Sequence, residues 1–310
     1  MLEIIDISKE FKNIKAVDRI NLYLEQGETI GLLGPNGAGK STTISLISSL
    51  IKPTSGDIRM NNGSILKAPE KLRRILGVVP QEIALYMELT ARENLQFFGK
   101  MHRIPKNQLT KRVDEVIEII GLKDREKDLV KTFSGGMKRR LNIGVALLHE
   151  PDIIIMDEPT VGIDPQSRNY ILETVKKLNK EKNMTVLYTS HYMEEVEYLC
   201  DRIYIMDHGK IIASGTKEEI KSILSSEQSI VVKVDMLKGS FIQALEKNPS
   251  IKNISVQEPL VTIIVPKQVF ILKDIFKASE ETGTNIVSVN IETPSLEDVF
   301  LHLTGRQLRD

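Results

Sequence analysis

The chain has 310 residues, enough for two domains of ordinary size. Lys and Arg number 42 and Asp and Glu number 42, so there is no net charge to draw the protein to nucleic acid in bulk, although a local patch stays open. The 41% hydrophobic and 27% charged fractions belong to an ordinary soluble protein, and the single cysteine, Cys200 in the apolar run EVEYLC, excludes an internal disulfide and reads as a buried, inert thiol in a reducing compartment.

The N-terminus, MLEIIDISKEF, alternates like a strand and lacks the cationic start and apolar core of a signal peptide. No apolar stretch reaches the roughly 18 residues that cross a bilayer, so work at a membrane requires spanning helices from another chain. Residues 2–33 read as three strands, LEIIDIS, INLYLE and ETIGLLG, with Gln26-Gly27 as the last turn. Next comes GPNGAGKST, residues 34–42, followed by the helix-like ISLISSLI. Gly34, Gly39, Lys40 and Ser41 fit G-x-x-x-x-G-K-[ST] in the strand–loop–helix context of a phosphate-binding loop. Backbone N–H groups at the helix start point at an anion, and the helix dipole favours negative charge there. Lys40 is expected to reach the terminal phosphates and Ser41 to coordinate Mg²⁺, with Pro35, Asn36, Gly37, Ala38 and Thr42 completing the nucleotide cradle.

Pro53, Ser55 and Gly56 end that helix, DIRM opens a short strand, and RILGVVPQ is another strand, ending at Pro80. Residues 82–148 have a different texture and read as a helical insert. TARENLQFFGKMH and QLTKRVDEVIEIIGL have helical spacing, and Thr90 with Glu93 forms a capping-box pattern. SGGMKRRLNIGVALLHE starts a helix at Ser134, Gly135 and Gly136, a second anion site. A capping serine does not explain two successive glycines, which weaken a helix start; close approach of a ligand or another backbone does. Residues 138–140, KRR, read as a solvated face, or as a contact for acidic groups on a partner.

DIIIMDEP is a buried strand that delivers Asp157 to the metal side of the phosphate loop, to hold Mg²⁺ through water, with Glu158 placed to polarise an attacking water. Helix PQSRNYILETVKKLNKEKN, strand MTVLYTS, helix YMEEVEYLC and strand RIYIMD follow, and His208-Gly209 turns into KIIASG. Strands alternating with helices predict an α/β core around a largely parallel, doubly covered sheet. His102, His149, His208 and His302 show no paired ligand spacing and read as non-functional.

Residues 216–229 read as a helix running into a polar linker, which divides the chain into domains at 1–220 and 230–310, with 221–229 between. Beyond it the predicted order is β-α-β-β-α-β, a small ferredoxin-like α+β domain, closed by the short helix PSLEDVFLHLTG. Its strands SIVVKVDML and LVTIIVP carry no aromatic residue to stack bases, so a regulatory or dimer-supporting role is preferred over RNA binding.

The order GPNGAGKST, VVPQE, FSGGMKRR, IIIMDEP, VGIDP and YTSH resembles the nucleotide-binding subunit of an ABC transporter, over residues 1 to about 220. The FSGGMKRR form, the separate ATPase chain and the ending PSLEDVFLHLTG are similar to the ABC-2 group, which includes drug-, sodium- and lipid- or polysaccharide-export ATPases. The resemblance implies a P-loop NTPase core with a helical subdomain, and a Mg²⁺-dependent ATPase bound as a peripheral subunit to the cytoplasmic face of a membrane permease, powering export. It implies two ATPase subunits, a homodimer or this chain with a related second ATPase, docked head to tail with ATP on the Lys40 loop of one and Ser134 and Gly136 of the other. Gln81 would reach Mg²⁺ and the attacking water, His191 would contact the γ-phosphate, Asp164 would lie at the dimer interface, and Phe11 would stack on adenine beside Ala16 and Val17. No nucleic-acid partner is expected.

The family signature usually reads Leu-Ser-Gly-Gly-Gln; Phe133 and Met137 stand at its outer positions here, and Met cannot make the amide hydrogen bonds of Gln. Val161 and Ile163 replace the common Ser and Leu as packing changes. The rival reading is a soluble ABC ATPase in DNA repair or translation, which usually carries two cassettes or a long coiled coil; neither is present in this sequence.

Overall fold

The computed structural model describes residues 2–190, 192–223, 227–292 and 295–305. Two compact units divide the chain between Lys217 and Glu218, the second running to Leu303.

The first unit opens with β1 (Leu2–Phe11), β2 (Ile14–Leu24) and β3 (Thr29–Leu33), then α1 (Lys40–Ile47), β4 (Ser55–Met60), β5 (Gly63–Ser64), α2 (Pro69–Ile75) and β6 (Leu76–Val79). The insert supplies α3 (Ala91–Met101), α4 (Lys106–Ile119) and α5 (Gly135–Leu147). The unit then runs through β7 (Ile153–Asp157), α6 (Pro165–Lys182), β8 (Thr185–Thr189), α7 (Met193–Leu199), β9 (Arg202–Asp207), β10 (Lys210–Thr216) and α8 (Lys217–Ser222), which crosses into the second unit.

A four-stranded antiparallel sheet has the order β2-β1-β4-β5, and a six-stranded sheet has the order β10-β9-β3-β8-β7-β6, parallel except for its β10 edge. Every residue of β3, β7 and β8 is buried, as expected of parallel strands covered on both faces. One apolar cluster joins the two sheets, with Ile4, Ile20, Ile30, Ile47, Ile155 and Leu187 among its members. The parallel strands all end on one edge, so the segments after β3, β6, β7 and β8 come together there, where open α/β sheets bind ligands.

In the insert, Thr90 caps α3 with the full capping box, donors and acceptors exchanged with Glu93. Arg92 on α3 reaches Asp114 of α4 at 2.6 Å and Glu126 at 2.7 Å. The helix α2 has no counterpart in the sequence reading. It is seven residues long and runs straight from Ile75 into strand Leu76 with no glycine between; Pro69 at its first turn was the available signal.

The second unit holds β11 (Glu227–Val234), α9 (Gly239–Glu246), β12 (Asn253–Gln257), β13 (Leu260–Pro266), α10 (Leu272–Thr282), β14 (Ile286–Glu292) and α11 (Leu296–Thr304). The antiparallel order β12-β13-β11-β14 is the ferredoxin-like one. Ile230, Val232 and Val234 alternate inward with Val261, Ile263 and Val265, and Phe241, Leu245, Ile275 and Ala278 from α9 and α10 cover them. Residues Glu227 to Ser229, expected in a linker, belong to β11: their backbone pairs with Pro266 to Ile264.

Candidate nucleotide site

The phosphate-loop signature lies between β3 and α1, and three of its glycines are there for different reasons. A Cβ at Gly34 would stand 2.3 Å from the Met206 carbonyl, so β9 passes too close for a side chain. Gly39 has φ +105, and a Cβ there would stand 2.5 Å from the Ala16 carbonyl. Gly37, at φ +81, would meet no atom within 4 Å, which leaves the crown of the loop open to an approaching phosphate. The turn between β9 and β10 clasps the loop from behind: Gly209 N donates to Ala38 O at 2.9 Å, and Asp18 N donates to Gly209 O at 2.8 Å.

Lys40 is buried at the start of α1, and its Nζ donates to the carbonyls of Gly34 at 2.7 Å and Pro35 at 3.2 Å. Burial lowers its pKa from the usual lysine range, while the carboxylates of Glu158 and Asp157 act to raise it. Ser41 and Asn36 are exposed beside it, and Thr42 is half-buried.

Asp157 ends β7, and Thr189 Oγ1, from neighbouring β8, donates to its Oδ1 at 2.8 Å. Glu158 is 6% exposed and turns the chain sharply at φ 49, the left-handed region that costs a non-glycine residue about 1 kcal/mol or more. Its N–H is held by Thr189 Oγ1 at 2.9 Å. Gln81, just beyond β6, donates from Nε2 to Glu158 Oε2 at 3.0 Å. The structure therefore brings Lys40, Asp157, Glu158 and Gln81 to one edge. His191 lies outside the described residues.

Phe11 is 47% exposed at the end of β1, with Lys9 Nζ 5.0 Å from its ring centroid, so it presents its ring outward rather than filling the core. Val17 is buried.

Ser134 caps α5 by accepting from Met137 N at 3.3 Å. The two glycines after it differ. A Cβ at Gly135 would find no atom nearer than 3.9 Å, whereas one at Gly136 would stand 2.1 Å from Ser167 Oγ. Gly136 thus admits a side chain of the same chain, while Gly135 leaves the helix start approachable from outside. Asp164 caps α6 and accepts from Ser167 N at 2.9 Å, and this bond above all holds its carboxyl below the usual range. Ser134, Gly135 and Asp164 are exposed and lie together around Ser167, with Gly136 buried against Ser167 behind them.

Arg139 and Arg140 do not form the solvated face expected of residues 138–140. Arg139 is buried, donating to the carbonyls of Pro80 at 2.8 Å and Gln81 at 2.7 Å, and burial lowers its pKa. Arg140 is half-buried, bonds the Ile120 and Gly121 carbonyls at 3.1 Å and lies 4.8 Å from the Tyr170 ring centroid. The polar face of α5 points at its own domain, which charge alone could not show. Arg139 is the site residue that the sequence reading missed; its one signal was a cation three positions after a glycine-rich helix start.

His102 and His149, read as non-functional with no paired ligand spacing, stack with ring centroids 4.1 Å apart. Among the described residues no group of three or more His, Cys, Asp or Glu side chains is placed to hold a metal. Cys200 is buried against Gly31, and burial pushes its thiol pKa up, as an inert thiol requires.

Comparison with known proteins fits this arrangement. The family model described as ABC transporter matches residues 17–161, and the model for the C-terminal domain of DrrA1-3-like ATP-binding proteins matches residues 215–304. The chain is 48% identical to the linearmycin resistance ATP-binding protein LnrL of Bacillus subtilis (strain 168), over the full length of both. It is 34% identical to the daunorubicin resistance ATP-binding protein DrrA3 of Streptomyces coeruleorubidus, covering 97% of this chain and 95% of that one. Among solved structures, a dimeric ATP-binding cassette in a post-hydrolysis state with ADP and Pi superposes with a TM-score of 0.64 at 28% identity, covering 70% of this chain and 98% of that one.

Proposed function

The chain belongs to the ATP-binding proteins of ABC transporters, and from that premise we propose that it powers the export of antibiotic-like molecules as a Mg²⁺-dependent homodimer seated on a separate permease. ABC ATPases hydrolyse ATP for transport, dimerise and pair with permeases. The drug class rests on the full-length kinship with the linearmycin and daunorubicin resistance proteins. Among the described residues no helix is long and apolar enough to cross a membrane, which fits attachment at the cytoplasmic face through another chain.

One observation carries the catalytic assignment: Gln81 and Glu158 meet at 3.0 Å on the edge where the buried Lys40 amine feels both acids. Lys40 neutralises phosphate charge, and the backbone of Gly34 to Thr42 cradles the chain of phosphates, with Phe11 against the base. Glu158 accepts a proton from the attacking water, and Gln81 fixes its carboxylate. Ser41, Gln81 and Asp157 are the residues that would hold Mg²⁺, and Thr189 orients Asp157 through Oδ1. The metal would supply charge neutralisation on the phosphates. His191 is assigned the γ-phosphate contact on the motif alone. Ser134, Gly135 and Asp164, all exposed, are assigned to the partner's nucleotide on the motif, with the buried Gly136 behind them.

The helical insert offers the permease an aromatic face. Tyr86 and Phe97 meet edge to face at 4.8 Å, Phe97 packs on Phe98 at 5.4 Å, and Met101 stands exposed on the same helix. Exposed aromatic and Met side chains grouped in this way suit an apolar helix from a partner. The domain from residue 230 to 310 supports the dimer or regulates it.

The test is capture of the Glu158→Gln protein with Mg-ATP from detergent-solubilised membranes of its source. A multi-helix membrane protein in near-equal amount, together with an ATP- and Mg²⁺-dependent dimer in gel filtration, is the expected result. Recovery of the chain alone, or with ribosomal or DNA-repair proteins, overturns the transport reading and leaves the ATP chemistry standing.

A further inference from the structure

Behind the site lies a buried carboxylate that none of the motifs includes. Glu195, in the first turn of α7, is 2% exposed. Its Oε2 accepts three hydroxyls: Thr160 Oγ1 at 2.8 Å, Tyr188 OH at 2.8 Å and Ser190 Oγ at 2.6 Å. Its Oε1 lies 3.3 Å from Arg168 Nε on α6. Taking a carboxylate out of water costs several kcal/mol unless partners replace its hydration; here three hydroxyls do so at Oε2, while Oε1 is buried with only the Arg168 charge beside it and no hydrogen bond.

Those partners tie together two loops at the ligand edge. Thr160 begins the TVGID segment after Glu158, and Asp164 ends it. Glu195 grips this segment from both sides: directly at Thr160, and through Arg168, whose own N–H donates to Asp164 O at 2.9 Å. The second loop leaves β8. Ser190 donates to Glu195 and also accepts from Tyr192 N at 2.9 Å, while the Arg168 guanidinium lies 3.9 Å from the Tyr192 ring centroid. The contacts close a ring: Glu195 to Ser190, to Tyr192, to Arg168 and back. Burial raises the Tyr188 pKa well above the ordinary tyrosine value, which keeps its hydroxyl a donor.

We propose that Glu195 is a positioning residue for ATP hydrolysis, locking the Thr160–Asp164 loop to Ser190 and Tyr192 so that they move as one body. A simple helix cap explains neither the burial nor three donors on one oxygen. Thr160, Tyr188, Ser190 and Arg168 all lie outside the phosphate loop, so their loss is expected to act on turnover more than on ATP affinity. A glutamine at position 195 keeps the shape, loses the charge and turns one oxygen into a donor that faces an arginine. The proposal rests on the catalytic assignment above, and Glu158→Gln in the same assay separates the two: if that variant turns over normally, the assignment fails first.

The experiment uses the full chain, with kcat and KM for ATP, thermal unfolding, and amide hydrogen exchange. Glu195→Gln should lower kcat by about 10- to 100-fold with KM within about twofold, because loss of orientation acts on the chemical step. Thr160→Val should lower kcat by about fivefold, and in combination with Glu195→Gln should add almost nothing, since both break one network. Thr160→Val should also speed exchange of the Tyr192 amide, on the far side of the ring from the mutation. A rise in KM at unchanged kcat, effects that multiply, or a Tyr192 amide untouched by Thr160→Val overturns the proposal. Should Glu195→Gln fail to fold, Thr160→Val and Ser190→Ala supply the same cycle.

Discussion

Gln81 and Glu158, 77 positions apart in the chain, are joined by a 3.0 Å hydrogen bond just beyond the ends of two adjacent parallel strands. The amide fixes the carboxylate oxygen that would face water. Glu158→Gln is therefore expected to lower turnover by at least about 100-fold, the usual worth of a positioned general base, without changing nucleotide affinity. Gln81→Ala should cost less, about tenfold, because the carboxylate survives and loses only its orientation. Steady-state hydrolysis beside equilibrium nucleotide binding decides both; weakened binding in Glu158→Gln would assign the residue to the cradle instead.

Gly136 is required by its own chain. Its missing Cβ would stand 2.1 Å from Ser167 Oγ and 2.4 Å from Ser167 Cβ. Gly136→Ala should destabilise the protein by about 1–3 kcal/mol through overpacking. Ser167→Gly in the same molecule should restore part of that loss, although glycine in the first turn of α6 costs about 1 kcal/mol itself. Urea unfolding of the two variants and the pair measures the coupling, and strict additivity would show that the clash relaxes elsewhere.

Arg139 holds the backbone on which Gln81 sits. Arg139→Met keeps the aliphatic stem but leaves the Pro80 and Gln81 carbonyls without their donors, a loss of about 1–3 kcal/mol. Turnover should fall by about tenfold with it, as the loop carrying Gln81 loosens. Arg139→Lys should not rescue the variant, because one ammonium cannot reproduce the two-pronged guanidinium contact. Full activity in Arg139→Lys would show that charge alone matters there.

His149 is expected to make the protein acid-sensitive. Burial and its neighbour His102 push its pKa down to about 4, and its Nε2 sits 3.1 Å from Leu76 O. A histidine with a lowered folded pKa binds its proton more readily when unfolded. Its contribution is complete above about pH 6.5 and is lost as pH falls toward 4, by about 3 kcal/mol at most. His149→Phe, which keeps a ring against His102, should flatten stability between pH 6.5 and 4 while costing the bond to Leu76 at neutral pH. An unchanged slope would place the titration elsewhere.

What was legible in advance was whatever sits in one unbroken string. GPNGAGKST carries loop, helix start and chemistry, and IIIMDEP carries strand, turn and chemistry, each within ten residues, and the Thr90–Glu93 cap needs only four. The alternating strands of the second unit fall into the ferredoxin-like order because period-two patterning is local. Pairings between remote segments were not legible. Arg139 looks like any surface cation until Pro80 and Gln81 stand over it, and the paired glycines of FSGGM cannot be told apart until Ser167 packs against one of them. Glu195 is one acid among several in MEEVEYL; only the fold aims three hydroxyls at it.

The clasp on the phosphate loop has a consequence for how the protein is made. The strand that launches the loop, β3, lies between β8 and β9, and Thr29 N donates to the carboxylate of Asp201, 172 residues further on. Gly209, which braces Ala38, comes later still. On the ribosome the loop emerges early, yet both strands beside it and its rear brace are among the last parts of the domain to be synthesised. The nascent chain must wait for residues beyond 200 before its earliest motif has anything to fold against. Fragments ending short of the β9–β10 turn should therefore carry every phosphate-loop residue and still fail to shape the loop.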